Sequence, residues 1–305
     1  MNTTALHPEL LAELTGIMRL SEPVREPVRI WSMSGVERLH LPGSSVVYKY
    51  ARAPFDQEYR WLTLAAKAGV PVPSVLASAR HEGWLGMLLE DLGTPRRETT
   101  DADGAVAAVA LHQAPVPDEL PVLDTAGLQG LPGRALDHLA RLRAVDRWTD
   151  QASDQIHDAL RALAKAASDR AQGCALEPFG WVHSEFHPTS LHIGPDGWRL
   201  LDFARAFTGP GLLDLASWHG TLDDPDPAHL AGFLDAYVTV GGHRDALAPR
   251  AGLPAEDWAL GWHRVWAVEW FMDQAIRWIN NPVSDPAYIK VVRRHLIAAV
   301  GLLRV

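Results

Sequence analysis

A chain of 305 residues with a formal charge of −9 at pH 7 is poorly suited to nucleic acid, whose binding rests on lysine and arginine neutralising phosphates. With 47% hydrophobic and 21% charged residues it has the composition of a folded globular protein, long enough for one or two compact units and neither disordered nor fibrous. Its one cysteine, Cys174, excludes an intramolecular disulfide framework and a multi-cysteine zinc site, and fits a reducing cytoplasm.

The opening stretch, MNTTALHPELLAELTGIMRL, lacks a basic leader and a continuous apolar run, so it reads as a short amphipathic helix with neither a signal peptide nor a membrane span. Next, VRIWSMSGVERLHLPGSSVVYKYA alternates apolar runs with glycine-containing turns, which predicts a meander of strands. DQEYRWLTLAAKAG has helical spacing and a stop at Gly69 followed by VPVP, and SVLASARHEGWLGMLLEDLG predicts two more strands that complete a small antiparallel sheet near Leu92. From AVAAVALHQ onward the text is helical, with long segments at 134–146, 151–171, 227–239 and 255–280, interrupted by strand-like text at 181–203. The expected division is therefore a β-rich lobe over residues 1–93, carrying an extra N-terminal helix, and a helical lobe over 94–305.

The densest chemistry lies in WVHSEFHPTSLHIGPDGWRLLDFARAF. His183, Glu185 and His187 alternate as three ligands on one strand face would. Pro188 ends any such strand, no H-E-x-x-H helix pattern is present, and the deaminase pattern fails for want of cysteines, so a metal-hydrolase site is the weaker reading.

Read residue by residue, His183, Glu185 two residues on, Ser190 five further, then a hairpin turning at GPDG and an apolar strand delivering Asp202 and Phe203, the stretch resembles the catalytic loop of the aminoglycoside phosphotransferase and choline kinase family. That family's pattern is H-G-D, four intervening residues, N, and then a strand ending in Asp. The following DFARAFTGPGLLDLASW is similar to the family's D-F, glycine loop and D-L-A, with Asp214 in the D-L-A. Upstream, SSVVYKYA puts Lys49 where the family has its nucleotide lysine, and DQEYRWL puts Glu58 at its ion-pair partner. GVPVP, LLEDLG with Glu90, and ALHQAP also fall in the family's order.

The resemblance implies a bilobal, protein-kinase-like α+β fold and an ATP- or GTP-dependent O-phosphotransferase using Mg2+ and acting on a hydroxyl of a small molecule, an antibiotic or related secondary metabolite among the candidates. It implies Lys49 and Glu58 at the nucleotide phosphates, Ser34 and Gly35 on a phosphate-facing loop, Glu90 at the nucleotide, and Ser190 with Asp202 as the metal ligands. Glu185 would act on the acceptor hydroxyl, with His183 and Asp214 fixing the loop. Three signature positions depart from the family: Ser184 for Gly, Glu185 for Asp and Ser190 for Asn. The replacements at Glu185 and Ser190 keep the chemical type, which favours a working kinase, and a catalytically inactive nucleotide- or ligand-binding pseudokinase is the alternative.

On the helical side, Trp258, Trp262, Trp266 and Trp270 form a stripe that reads mostly as core, while Glu269, Asp273 and the loop acids Asp223, Asp224 and Asp226 suggest an amine-bearing acceptor. The tentative acceptor residues are Asp223, Glu269, Asp273 and Trp270; nothing in the sequence suggests nucleic-acid or membrane partners or sets an oligomeric state.

Overall fold

The structure, a computed structural model, describes residues 7–305; the first six residues of the expected N-terminal helix lie outside the described residues. The chain divides into two units, one made of residues 1–99 and 189–206, the other of 100–188 and 207–305.

The first unit begins with α1 (Pro8–Met18), which has proline at its first turn and buries Leu10, Leu11 and Leu14 on one face. Strands β1 (Val24–Ile30), β2 (Ser34–Leu41) and β3 (Ser44–Arg52) follow as an antiparallel meander. Helix α2 (Glu58–Lys67) comes next, then β4 (Val75–His81) and β5 (Trp84–Glu90), closing an antiparallel sheet of order β1-β2-β3-β5-β4. This is the sheet that the alternating text predicts.

Side-chain alternation along β3 divides its two faces. Tyr48 and Tyr50 enter the core built with Leu10, Leu14, Leu39 and Leu88, so Lys49 between them points to the opposite face, where α2 supplies Glu58. Helix α2 buries Glu58, Trp61, Leu62 and Ala65, the i, i+3, i+4, i+7 set of one helical face. Gly69 stops it: with φ +85 it lets its own amide reach the Ala66 carbonyl and the Val70 amide reach that of Ala65, a closed helix end that a β-carbon would strain.

The second unit opens with α3 (Asp101–His112), whose N-cap Thr100 and Asp103 form a reciprocal capping box. Then come α4 (Thr125–Gln129), α5 (Leu131–Arg143), α6 (Gln151–Arg170) and β6 (Phe179–Val182). The chain returns to the first unit with β7 (Leu191–Gly194) and β8 (Gly197–Leu200), a hairpin turning at Pro195 and Asp196, and re-enters the second at β9 (Phe207–Pro210), antiparallel to β6. Helices α7 (Leu212–Ser217), α8 (Pro227–Thr239), α9 (Ala255–Asp273) and α10 (Asp285–Leu303) complete the chain, with a π-helical turn at Gln274–Trp278 prolonging α9.

Helix α9 packs against α5, α7, α8 and α10 and is apolar on nearly every side. Its stripe of tryptophans is half core: Trp258 and Trp262 are fully buried, and both indoles donate to the Arg170 carbonyl at the end of α6, at 2.8 and 2.9 Å. Trp266 and Trp270 are half-buried. Among the described residues no helix is long and apolar enough to cross a membrane.

Two features depart from the sequence expectations. The hairpin β7–β8 belongs to the sheet-bearing unit, not to the helical lobe that was expected to run unbroken over 94–305. The Leu200 amide donates to the Pro71 carbonyl at 2.8 Å, the Arg96 amide to that of Ile193 at 2.9 Å and the Thr99 hydroxyl to that of Leu191 at 3.0 Å. The same bonds carry the unit past residue 93 to Thr99. Helix α10 lies in text expected to be helical but was not singled out as a segment, although Val292, His295, Leu296, Ala299 and Leu303 mark its buried face at helical spacing.

Candidate active site

In the first unit, Lys49 is the centre of a three-membered charge cluster. Its Nζ donates to Glu58 Oε1 at 2.7 Å and is ion-paired with Asp202 Oδ1. The Glu58 side chain is 1% exposed and that of Asp202 42%, so the inner carboxylate positions the ammonium and the outer one faces solvent. Burial pulls the Lys49 ammonium down, but the charges of Asp202 and then Glu58 outweigh it and its pKa is raised. The lysine is therefore a fixed cation, held straight out from the strand.

Asp202 follows β8 with φ 63, in the left-handed region that glycine prefers and that aspartate tolerates better than most residues. Ser190 is fully buried at the end of a short 3-10 turn, and its carbonyl accepts the Leu201 amide at 2.8 Å. That bond sets Ser190 beside the residue preceding Asp202. A carboxylate and a hydroxyl offer the oxygen donors that Mg2+ prefers, with Lys49 as a neighbouring counter-charge, so the residues fit that ion.

Ser34 and Gly35, expected on a phosphate-facing loop, open β2. Gly35 is opposite Tyr50 in the β2–β3 register, and a β-carbon there would overlap the Tyr50 ring, so the glycine has a packing reason of its own. The Ser34 hydroxyl accepts from the Trp31 indole, across the turn between β1 and β2. Glu90 ends β5, paired with Val46, and its amide donates to the Ser74 carbonyl at 3.0 Å.

In the second unit, β6 delivers His183, Ser184 and Glu185 into a loop clamped from beneath by Asp214 on α7. The fully buried Asp214 carboxylate accepts the His183 amide at 2.7 Å and the Ser184 amide at 2.8 Å, one on each oxygen. It thereby satisfies two backbone donors at the turn where the strand ends. Ser217, one turn further along α7, donates to the Phe186 carbonyl at 2.6 Å, and Phe186 packs on Trp218 at 5.1 Å between centroids. Glu185 is thus the half-exposed member of a loop whose neighbours His183, Ser184 and Phe186 are buried.

Sequence reasoning did not single out three residues of this support. His112 on α3 brings Nε2 to 3.6 Å from Asp214 Oδ2, Tyr237 on α8 lies 3.2 Å from His112 Nδ1, and Ser217 holds the Phe186 carbonyl. The one signal available was a histidine inside ALHQAP, at the end of an otherwise apolar helix.

Ser184 occupies the signature position of the family's glycine with φ 76, and its buried hydroxyl has no partner among the described residues. The backbone keeps a conformation that suits glycine while the side chain has changed.

The tentative acceptor residues separate. Asp273 is buried and engaged: its Oδ2 accepts from Arg277 at 2.8 Å and from the Trp278 indole at 2.9 Å, and His138 stands 3.7 Å from Oδ1. Burial raises its pKa, and the Arg277 and Trp278 hydrogen bonds overcome this to lower it. Glu269, one turn earlier, is more accessible, with His138 at 3.3 Å and Arg134 at 3.6 Å. Trp270 is half-buried on the same helix. Asp223 is exposed on the loop before α8, and its carbonyl accepts from the buried Arg264 at 2.7 Å.

The family model described as "Phosphotransferase enzyme family" matches residues 39–278, most of the chain. Comparison with curated proteins gives no match. Among solved structures, a spectinomycin phosphotransferase, APH(9)-Ia, in complex with ADP and spectinomycin, is 10% identical with TM-score 0.60, the match covering 97% of this chain and 98% of that one. Aminoglycoside-3'-phosphotransferase of type VIII is 19% identical with TM-score 0.57, covering 82% and 96%. A structure assigned provisionally as a fructosamine-3-kinase, from Haemophilus somnus 129PT, is 15% identical with TM-score 0.58, covering 96% of each chain. At such identities these likenesses concern the fold, which is the kinase-like α+β fold expected from the sequence.

Proposed function

The chain belongs to the phosphotransferase enzyme family, and on that premise we propose that it transfers the γ-phosphoryl group of ATP or GTP to a hydroxyl of a small molecule. The observation that carries this reading is the bonding of Lys49 to both Glu58 and Asp202. A strand lysine held by a buried glutamate presents a fixed cation to nucleotide phosphates, and an aspartate beside it would hold the metal ion that phosphoryl transfer uses. Asp202 with Ser190 would hold Mg2+, which neutralises charge on the phosphates when bound.

Transfer needs the acceptor oxygen aligned with the γ-phosphorus and its proton removed. Glu185 takes that proton as the new O–P bond forms and the bond to the β–γ bridging oxygen breaks, leaving a nucleoside diphosphate. The Asp214 clamp on the His183 and Ser184 amides supports this role, because a proton acceptor one methylene longer than aspartate must sit on a fixed backbone to be aimed. The acceptor is proposed to be an amine-bearing alcohol of the antibiotic or secondary-metabolite class, with Glu269 and Asp223 as its candidate acidic contacts.

A second reading, a nucleotide-binding protein without transfer, is favoured by the strained and unpartnered Ser184 at a signature position. Magnesium-dependent release of nucleoside diphosphate separates the two. Turnover with an amine-bearing alcohol that disappears in Glu185→Gln supports transfer. Nucleotide binding without any turnover across a broad acceptor panel overturns it.

A further inference from the structure

Three side chains from three elements of the second unit meet at its surface. Asp101 opens α3, His219 follows α7, and His229 lies in the first turn of α8. Their ligand atoms all lie within 4.8 Å of one another. His219 Nε2 is 3.1 Å from Asp101 Oδ1 and His229 Nε2 is 3.4 Å from Asp101 Oδ2. We propose that Asp101, His219 and His229 form a binding site for a transition-metal dication of the zinc class, separate from the magnesium site of phosphoryl transfer.

The chemistry of the donors selects the metal. Two imidazoles and one carboxylate suit Zn2+ and its neighbours far better than Mg2+, which takes oxygen ligands and dehydrates reluctantly. The spacing suits it too. Zinc bonds of about 2.0–2.2 Å to nitrogen and oxygen give a tetrahedron with edges of about 3.3–3.6 Å; the histidine to carboxylate separations are 3.1 Å for His219, slightly shorter, and 3.4 Å for His229.

The supporting shell is of the kind metal sites carry. The Trp218 indole donates to Asp101 Oδ1 at 2.8 Å, fixing the carboxylate plane, and Trp218 is stacked on Phe233 with 7° between their planes. His219 is packed edge-on against Phe233.

Entry from solvent is open, since the side chains of Asp101 and His229 are 49% and 52% exposed. The two rings lie stacked with centroids 3.4 Å apart, so the exposed His229 must swing about its Cα–Cβ bond to turn its lone pair onto a shared ion. Water completes the coordination. An ion here ties α3 to both ends of the 219–229 loop, which Arg264 already holds through the Thr221 and Asp223 carbonyls.

The test uses tag-free full-length protein and Zn2+ alone, without nucleotide, read by calorimetric titration and thermal melting. The expected result is one ion bound per chain, a raised Tm, and visible d–d bands of low-symmetry cobalt when Co2+ replaces it, with no comparable effect of Mg2+. His229→Ala, a change at a half-exposed position, abolishes the one-to-one isotherm, and Trp218→Phe weakens it about tenfold by freeing the carboxylate. Asp202→Asn leaves the isotherm unchanged. Zinc binding that survives in both His229→Ala and His219→Ala, or that is lost in Asp202→Asn instead, overturns the proposal, as does the absence of any stoichiometric binding.

Discussion

Lys49 and Asp202 are 153 residues apart in the chain and ion-paired in one unit, the lysine drawn between that aspartate and Glu58. One cation thus serves two carboxylates of unequal burial. Replacing it leaves Glu58 charged and enclosed, and breaking a buried pair from one side costs about 3–5 kcal/mol. Lys49→Met is expected to lower stability by about that order and to eliminate the thermal shift given by Mg·ATP or Mg·GTP, which at 100 times Kd is about 2.7 kcal/mol for the parent. The double change Lys49→Met/Glu58→Gln recovers part of the stability and none of the nucleotide shift. Denaturant melts with and without nucleotide check both outcomes.

Glu185→Gln is expected to reduce turnover on the acceptor by about 10²–10⁴-fold, the usual share of a general base, with nucleotide affinity nearly unchanged. Glu185→Asp draws the carboxylate back by about 1.5 Å, one C–C bond, and also loses activity because the loop is clamped through Asp214. Steady-state kinetics on both variants decide it. Activity gained in Glu185→Asp/Ser190→Asn from an inactive parent supports the pseudokinase reading.

Ser184→Gly is expected to stabilise the protein. Serine at φ 76 carries a backbone cost and buries a hydroxyl without a partner among the described residues. Against the extra chain entropy of glycine, relief of both leaves a net gain of about 1 kcal/mol. The urea midpoint should rise with an unchanged slope.

His295 on α10 gives the acid limb of stability a defined origin. Burial, then the positive charges of Arg264 and Arg294, push its pKa from 6.5 down to about 3. The folded chain therefore refuses a proton that the unfolded chain accepts. The stability from the neutral ring is fully present above pH 6.5 and is lost as pH falls from there toward 3, by at most about 1.4 kcal/mol per pH unit. Melts between pH 7 and pH 4 should show this slope, and His295→Leu should flatten it.

Asp273→Asn is expected to lower Tm, because Arg277 and Trp278 both spend their donors on that carboxylate. Glu269→Gln should instead raise KM for an amine-bearing acceptor, by an amount that shrinks as salt screens the more exposed charge. Equal effects of the two variants on KM argue against this division.

The cluster of Lys49, Glu58 and Asp202 was legible because each lies in a motif of known order, and the sheet was legible because alternation and glycine turns are local signals. The place of β7–β8 was not, since bonds such as Leu200 to Pro71 join segments far apart in sequence. Asp273 looked like a free acid on a helix face, although Arg277 stood four residues on at ion-pair spacing. The packing demand at Gly35, where a β-carbon would overlap the Tyr50 ring across the strand, was not legible either. Asp101 and His219 are separated by 118 residues and neither falls in a motif, so only tertiary structure brings them together.

The return of residues 189–206 to the first unit bears on how this protein can be recombined. A gene fusion that exchanges everything before residue 100 with a relative would import a foreign lysine and its glutamate while retaining the native Asp202 and Ser190. The partners of one ion pair would then have separate ancestries. A working chimera has to carry the later hairpin along with the N-terminal block, so the heritable module is two stretches of sequence and not one.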